Sequence, residues 1–316
     1  MRVLVAGATG VIGRALMPLL VAAGHDAVGL SRSRDRAGTL ELTGARLVQA
    51  DALDCDAVRR AVGETAPDAV VNLLTAIPAE INPRRMARDF AMTNRLRTEG
   101  TRNLLAAADA AGVQRVISEG LAYVYEPDDA GPADEDQPFW APAPRGFAPV
   151  LAAVRELEAQ TTERGGLVLR FGHLYGLGTI YALNGSFVRQ VRAGKMPLVG
   201  AASAVFSFTH THDAGTAIVA ALDHKVPGVL NVVDDDPAPV SRWLPELARI
   251  LRAPSPRSVP AALARLAVGS FGVAWMTQLR GADNGRAHTA LRWYPRYASW
   301  RDGFAAELSS DAVRAA

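Results

Sequence analysis

The feature that most constrains this chain is a set of three glycines, spaced by two residues, directly after an apolar run at the amino end. Residues 3–6 read Val-Leu-Val-Ala, and residues 7–13 read Gly-Ala-Thr-Gly-Val-Ile-Gly. Apolar residues then recur at spacings of three and four, which indicates a helix. Gly7 permits a tight turn, Gly10 lets backbone approach a pyrophosphate, and Gly13 lets the helix pack on the strand. Because a helix N-terminus favours phosphate, we predict a dinucleotide site that contains Gly7, Thr9, Gly10, Val11, Ile12 and Gly13.

The first half of the chain alternates short apolar runs with helical patterns. We predict strands at residues 2–6, 27–30, 46–50, 69–74, 113–118 and 167–171, and helices at 10–23, 55–62, 84–111 and 149–162. This alternation is typical of a parallel sheet with helices on both faces. We therefore predict an α/β fold, a Rossmann-type doubly wound parallel sheet over residues 1–171. We expect strand 167–171 to close it.

The second half is more irregular, with strand-like runs at residues 205–209 and 229–233. We interpret residues 172–316 as a smaller carboxy-terminal α/β lobe, interleaved with the first domain, that binds the substrate. Residues 126–149 contain six prolines and several acids, which predicts an irregular loop between the two parts.

Composition and charge narrow the partners and the compartment. The chain has 316 residues and a net charge of +2. Its basic and acidic residues are mixed, which argues against nucleic acid or a membrane surface as partners. No apolar run approaches the roughly 20 residues of a membrane helix. A single cysteine, Cys55, excludes a disulfide framework and a Cys-rich metal site, so we expect a cytoplasmic protein. The strand pattern begins at Arg2, so we expect no secretory leader.

The end of the second predicted strand bears on the choice of dinucleotide. An NAD site usually has an acid here that accepts a hydrogen bond from the ribose 2′-hydroxyl. This strand instead ends at Ser31, Arg32 and Ser33. Arg32 can pair with a 2′-phosphate, and Ser31 or Ser33 can donate to it, unless Arg32 is only a solvated surface arginine. NADP is therefore the predicted cofactor, and NAD is less favoured.

Two further strand ends are predicted to line the same site. Asp51 and Ala52 follow the third strand, where Asp51 can accept from the adenine amine or, alternatively, cap the next helix. Leu73, Leu74 and Thr75 end the fourth strand and are expected to flank the ribose.

Four later segments carry a resemblance to a known family. They read Gly-Thr-Arg-Asn-Leu-Leu at 100–105, Leu-Arg-Phe-Gly-His-Leu-Tyr-Gly at 169–176, Phe-Thr-His-Thr-His-Asp at 208–213 and Leu-Arg-Trp-Tyr-Pro at 291–295. Together with the glycine motif, they resemble the extended short-chain dehydrogenase/reductase superfamily, most closely its NAD-dependent epimerase/dehydratase group. The resemblance spans nearly the whole chain. It implies a nicotinamide-dependent enzyme with a small-molecule substrate, and a homodimer formed through the helices predicted at 84–111 and 149–162.

The catalytic residues of that family are missing. Its members use a Ser or Thr and a Tyr-x-x-x-Lys pair, whose lysine lowers the tyrosine pKa and holds the nicotinamide ribose. Lys195 and Lys225 are the two lysines here, and neither lies four residues after a tyrosine. The resemblance aligns Leu121 with the serine, and Val150 and Val154 with the tyrosine and lysine. We expect these three residues to line an apolar substrate pocket.

Three residues are candidates for an alternative acid or base. Tyr123 follows the lost serine position by two residues, His173 replaces a family asparagine beside the substrate, and Glu119 ends the fifth strand. Each has a structural alternative: a core ring for Tyr123, a backbone hydrogen bond for His173 and a surface acid for Glu119. His210 and His212 would share one face of a strand, but the resemblance makes His210 structural, so we predict no metal site.

These observations leave three functions open. The first is an NADP-dependent oxidoreductase with non-standard acid/base residues, acting on a small, apolar or polycyclic metabolite. The second is a non-redox cyclase, isomerase or lyase on the same scaffold. The third is a non-catalytic NADP-binding sensor or scaffold, since a fold alone does not fix a function.

Overall fold

The computed structural model describes residues 1–33, 43–128 and 131–309. Two residues of the predicted proline-rich loop, 129 and 130, lie outside this part. The strands of the described residues are β1 (Arg2–Ala6), β2 (Asp26–Ser31), β3 (Arg46–Gln49), β4 (Ala69–Asn72), β5 (Arg115–Leu121), β6 (Leu167–Phe171), β7 (His173–Tyr175), β8 (Leu198–Val199), β9 (Val205–Phe206), β10 (Phe208–His210), β11 (Gly228–Val232), β12 (Ala238–Pro239) and β13 (Ser258–Val259). The helices are α1 (Val11–Ala22), α2 (Cys55–Thr65), α3 (Met86–Asp89), α4 (Ala91–Arg95), α5 (Thr101–Ala110), α6 (Ala148–Thr162), α7 (Ser186–Arg192), α8 (Thr211–Asp223), α9 (Val240–Ile250), α10 (Ala261–Thr277), α11 (Gly285–Leu291) and α12 (Trp300–Leu308), with a π turn at Leu96–Gly100.

Seven strands form the central sheet in the order β11-β6-β5-β4-β1-β2-β3, and every pairing is parallel. The predicted Rossmann-type α/β fold is confirmed. The expectation that β6 closes the sheet is wrong, because β11 pairs beyond it and covers its outer edge. The carboxy-terminal part thus contributes one strand to the sheet. The division at residue 171 stays a prediction.

Side chains of β1 show how the sheet is buried on both faces. Val3 and Val5 belong to the apolar cluster that contains α1 and α8, whereas Leu4 and Ala6 belong to the cluster that contains α2 and α5. Successive side chains of a strand point to opposite faces, so a strand covered on both sides is apolar throughout. This burial fixes the carboxyl ends of the strands, where the site forms.

The helix predicted over residues 84–111 is divided into α3, α4, the π turn and α5, so the single-helix prediction is wrong. The Thr101 hydroxyl donates to the Leu96 carbonyl five residues back, at 3.4 Å, across the widened turn. Apolar spacing does not reveal such a turn, because a one-residue expansion leaves the buried face nearly unchanged. π turns often occur at functional sites.

The strand predicted at residues 205–209 is also interrupted, and β9 and β10 lie on either side of Ser207. The Ser207 carbonyl accepts a hydrogen bond from the His173 backbone N–H at 2.9 Å instead of continuing one ladder. His212 lies in α8, so the predicted strand pair of histidines is wrong. His210 contacts Glu307 at 3.2 Å. Within residues 1–33, 43–128 and 131–309, no group of three metal-ligating side chains and no membrane-spanning helix is found.

The carboxy-terminal part packs around large aromatic side chains, of which Trp243, Trp300 and Phe208 are fully buried. Helix α10 is broken at Gly269, whose φ of 72° is strongly disfavoured for other residues. The second half of α10 brings Trp275 against Tyr123, just after β5, and His173 in β7, and it brings Phe271 against Phe147 at the start of α6.

Candidate active site

The glycine turn between β1 and α1 has the geometry of a dinucleotide cradle. Gly7 has a φ of 87°, and a Cβ there would collide with the Leu73 carbonyl oxygen. A Cβ on Gly13 would lie 2.5 Å from the carbonyl oxygens of both Gly7 and Ala8. Gly10 caps α1 with extended backbone and no side-chain hydrogen bond, so the first-turn N–H groups, which include those of Val11 and Ile12, stay available to an anion. These residues fit the pyrophosphate of a dinucleotide.

Arg14 adds a cation to this turn, and the sequence reasoning missed it. Its side chain is exposed, donates from Nη1 to the Thr9 carbonyl at 3.5 Å, and lies against the backbone of Gly178. Glycine at 178, with a φ of 83°, makes room for the guanidinium. The signal was a basic residue directly after the third glycine of the motif.

Arg32 lies beyond the end of β2 with its side chain exposed. Its carbonyl accepts from Gln49 Nε2 at 3.0 Å, which fixes the backbone, and its guanidinium has no partner among the described residues. Ser31 Oγ donates to the Ser33 carbonyl at 3.2 Å. The backbone of this arginine is therefore fixed, and its guanidinium is not occupied by any of the described residues.

The ends of β3 and β4 lie at the same edge. Asp51 accepts from the Leu53 N–H at 3.0 Å, while Asp54 caps α2, so the alternative role of Asp51 as the helix cap is wrong. The buried Ala52 offers its carbonyl to Asn103 at 3.0 Å. The Leu73 N–H donates to the Ala6 carbonyl at 2.9 Å.

Helices α4 and α5 hold the segment after β4, which contains Leu73, Leu74 and Thr75. Asn72 Nδ2 donates to the Thr101 hydroxyl at 2.9 Å, and Asn72 Oδ1 accepts from the Leu74 N–H at 3.3 Å. The Ala76 N–H donates to the Thr93 hydroxyl at 3.1 Å. Two threonines on one helical run thus determine the position of the strand end beside the glycine turn.

The positions aligned with the family's catalytic residues are buried and apolar. Leu121 is 6% exposed, Val150 is 1% exposed and Val154 is fully buried. All three belong to one apolar cluster with Phe147. No side chain at these positions can donate or accept a proton.

Aromatic rings form a column beside them. The Tyr123 ring stacks on His173 with centroids 4.6 Å apart, and His173 stacks on Phe206 at 4.0 Å. Trp275 meets the Tyr123 and His173 rings edge-on at 5.3 and 4.9 Å. Flat, apolar surfaces therefore dominate this part of the site.

His173 is held as a neutral imidazole. Burial lowers its pKa from 6.5 to about 3, although contact with the Ser207 carbonyl opposes the shift. Nδ1 lies 3.3 Å from that carbonyl oxygen, so we assign the proton to Nδ1. Nε2 is then an acceptor, and it is buried without a partner in the described part of the chain.

Tyr123 and Glu119 are linked through the charge of Arg97. Burial raises the pKa of Tyr123 to about 12, opposed by Arg97, so the hydroxyl keeps its proton. Burial also raises the pKa of Glu119, again opposed by Arg97. Glu119 is 7% exposed, so its interpretation as a surface acid is wrong.

Arg97 is a second charged residue of the site that sequence reasoning missed. It lies in the π turn and is 1% exposed. Its Nη1 has no hydrogen-bond partner within the described residues. The only available signal was an arginine on the apolar face of a helical pattern.

Comparison with known proteins agrees with this geometry. The model of the NAD dependent epimerase/dehydratase family matches residues 3–232. The 3-diazoavenalumate denitrifying reductase of a Streptomyces species is 47% identical over 315 residues, which cover 97% of this chain and 100% of that protein.

Two solved structures share the whole fold. UDP-glucose 4-epimerase of Thermotoga maritima with UDP-glucose has a TM-score of 0.76 and 21% identity, covering 100% of this chain and 99% of the other. Human epimerase family protein SDR39U1 with NADPH has a TM-score of 0.74 and 24% identity, covering 99% of both chains. The chain therefore belongs to the NAD-dependent epimerase/dehydratase family of extended short-chain dehydrogenases/reductases and is an enzyme of the nicotinamide-dependent type.

Proposed function

We propose that this protein is an NADPH-dependent reductase that removes a diazo group from an aromatic carboxylate as N₂ and leaves hydrogen in its place. One observation carries the proposal: Leu121, Val150 and Val154 replace the proton-donating residues in a site that keeps its dinucleotide cradle. The relative that matches over its full length is named a denitrifying reductase of a diazo carboxylate. That name supports hydride transfer over a cyclase, isomerase or lyase and over a sensor.

The chemistry explains why such a site needs no strong acid. Reduction of a carbonyl places negative charge on oxygen, which a proton donor must neutralise. Reduction of an aryl diazonium breaks the C–N bond and forms a C–H bond, and both electrons come from the cofactor. Aryl diazonium and NADPH give arene, N₂ and NADP⁺, so charge balances without an added proton. Apolar residues at the positions of the missing pair are compatible with this reaction.

The aromatic column supports a flat substrate. Tyr123, His173 and Trp275 present ring faces and edges within stacking distance of one another, and a diazonium cation is attracted to aromatic faces. A diazonium ion couples to phenolate far faster than to phenol. Because burial raises the pKa of Tyr123 to about 12, this ring stays a phenol and is protected from coupling.

The roles follow from the protonation states. We assign Tyr123 as a hydrogen-bond donor to the substrate and His173 as an acceptor through Nε2. Burial raises the pKa of Glu119, and we assign it as a polar neighbour of these groups, not as a general base. None of them has to transfer a proton during hydride delivery.

The activity test uses doubly ¹⁵N-labelled 4-carboxybenzenediazonium with NADPH. We expect loss of the reduced-nicotinamide absorbance and release of an equal amount of ¹⁵N₂, measured by headspace mass spectrometry. A reaction without protein measures the uncatalysed rate. Turnover without NADPH consumption would point to a non-redox enzyme, and tight cofactor binding without turnover to a sensor. Either result would overturn the reductase proposal.

NADPH is the proposed form of the cofactor because the Arg32 guanidinium, at the end of β2, has no partner among the described residues, and Ser31, Arg32 and Ser33 stand there instead of an acid. The NADPH-bound relative supports this choice. A charge-assisted hydrogen bond contributes about 1.5–3 kcal/mol, so Arg32→Ala should raise the Kd of NADP⁺ roughly 10- to 100-fold. The Kd of NAD⁺ should stay within about twofold.

The matched control is Arg59→Ala, which removes another exposed arginine, paired with Asp56 on α2. Isothermal titration calorimetry gives both constants. Tighter binding of NAD⁺ than NADP⁺ to the wild type would refute the assignment.

We further propose a homodimer that uses α4 to α6. The outer faces of α5 and α6 carry the small exposed residues Ala106, Ala152 and Ala159, and Arg102 pairs with Glu156 across them at 2.9 Å. Small side chains let helices approach closely. Light scattering should give twice the 33.5 kDa mass of one chain, and a monomer mass would contradict the proposal.

A further inference from the structure

Arg97 lies on the helical face directed at the cofactor edge of the sheet. Thr93 and Thr101 lie four residues to either side of it, and both bond the segment that ends β4. Residues four apart share a face of a helix. Arg97 is buried between them and influences the pKa of both Glu119 and Tyr123 at the end of β5. Its charge therefore acts inside the proposed substrate site.

Two other buried arginines show how this chain provides hydrogen-bond and ion-pair partners for a guanidinium with a structural role. Arg170 forms a bidentate pair with Glu158, at 2.7 and 2.6 Å. Arg115 donates to the backbone carbonyls of Ala221, Val226 and His224. Arg97 differs from both, because its guanidinium makes no hydrogen bond or ion pair with any residue that the structure describes.

Glu119 is not the ion-pair partner of Arg97. Its carboxylate makes no ion pair with Arg97 within the 4.0 Å limit of a salt bridge, although both side chains are buried. Burial raises the pKa of Glu119 despite the nearby cation, which shifts the carboxyl toward its neutral form. A buried cation without a paired anion is costly, so such a group is retained where a ligand supplies the anion.

We propose that Arg97 binds an anionic oxygen of the substrate, with the Tyr123 hydroxyl as a second donor to that oxygen. This inference rests on the proposed function, because it names how the aromatic acid is held. Tyr123 suits the role, since its hydroxyl is protonated and makes no hydrogen bond within the described residues. The charge of Arg97 would thus orient the ring on the aromatic column, with the diazo carbon toward the cofactor.

The anionic oxygen has two possible sources, a carboxylate and a ring phenolate. 4-Hydroxycinnamate, its methyl ester and 4-methoxycinnamate distinguish them, because the ester lacks the carboxylate and the ether lacks the phenolate. Binding to the NADP⁺ complex is measured by calorimetry. This readout needs no hydride transfer, so it stays informative even if the reductase activity is absent.

The test variant is Arg97→Met, with Arg97→Lys as a charge-conserving rescue. We expect wild-type protein to bind 4-hydroxycinnamate and to lose affinity for one of the two derivatives. Arg97→Met should weaken the binding of 4-hydroxycinnamate about 10- to 100-fold and abolish the preference for it over that derivative. Arg97→Lys should restore part of the affinity and part of the preference. Arg59→Met, on the exposed face of α2 and outside the proposed dimer helices, is the matched control and should change binding less than about twofold.

Three results would overturn the assignment. If Arg97→Met weakened the binding of all three ligands equally, Arg97 would have a structural role. Loss of NADP⁺ affinity with ligand affinity intact would make Arg97 a cofactor residue. Failure of the wild-type complex to bind any of the ligands would exclude the aromatic acid class. If Arg97→Met does not fold, Arg97→Lys still reports the preference between the derivatives.

Discussion

Replacing His173 with phenylalanine should reduce the loss of stability of the protein in acid. The histidine is buried, and its pKa in the folded protein is about 3, against 6.5 in the unfolded chain. Between these values the unfolded chain binds more protons than the folded protein, so the free energy of unfolding falls as the pH is lowered. This loss of stability begins as the pH falls below about 6.5 and is complete near pH 3.

The magnitude follows from the same pKa values. At about pH 5, the unfolded histidine is almost fully protonated and the folded one is almost fully neutral. This pH lies about 1.5 units below the pKa of the histidine in the unfolded chain, and each unit corresponds to 1.36 kcal/mol. The titration of His173 alone should therefore make the free energy of unfolding about 2 kcal/mol lower at about pH 5 than at about pH 7.5. Phenylalanine keeps a ring between Tyr123 and Phe206 but cannot titrate.

The assay is urea unfolding of the wild type, His173→Phe and His224→Phe at both pH values. His224 is a half-exposed histidine at the end of α8 and controls for the loss of one histidine. The difference between the two pH values should be about 2 kcal/mol smaller in His173→Phe than in the wild type. An identical pH dependence would refute the inference that burial keeps this imidazole neutral.

Three further substitutions test the cradle, the broken helix and the donor. Gly13→Ala places a Cβ 2.5 Å from two carbonyl oxygens, so calorimetry should show at least about tenfold weaker NADP⁺ binding, and wild-type affinity would contradict the geometry. Gly269→Ala puts a side chain at a φ of 72°, which should lower the free energy of unfolding by about 1–3 kcal/mol in urea; an unchanged midpoint would argue against the break in α10. Tyr123→Phe removes one hydrogen-bond donor and should lower kcat/KM about tenfold while leaving the Kd of NADP⁺ unchanged, whereas full activity would remove Tyr123 from the site.

Local pattern predicted the parts of the fold that depend on local chemistry. The turn at Gly7 and Gly13 was readable because only glycine fits a positive φ or a carbonyl contact at those positions. Strand β6 was predicted with its observed bounds because a strand buried on both faces is continuously apolar. The absence of a Tyr-x-x-x-Lys pair needed no structure, since it follows from the positions of Lys195 and Lys225.

The rest depended on contacts between distant segments. Strand β11 joins the sheet only after the chain has passed through α8, and its apolar run resembles that of the small strands around it. The break at Ser207 arises because its carbonyl accepts from His173, 34 residues away. Arg97 looked like any helical arginine, and its importance came from burial and from the lack of a partner. Tertiary burial, not sequence spacing, determined these features.

The central claim is that a dinucleotide whose pyrophosphate is held at the amino end of α1 delivers a hydride from its nicotinamide to the carbon that loses N₂. The direct measurement is the isotopic composition of the arene formed from 4-carboxybenzenediazonium and 4-deuterated NADPH in ordinary water. We predict one deuterium in the benzoate, at the carbon that carried the diazo group, when the transferred position of the nicotinamide is labelled. Benzoate that contains hydrogen from water alone, with either deuterated epimer of the cofactor, would contradict it.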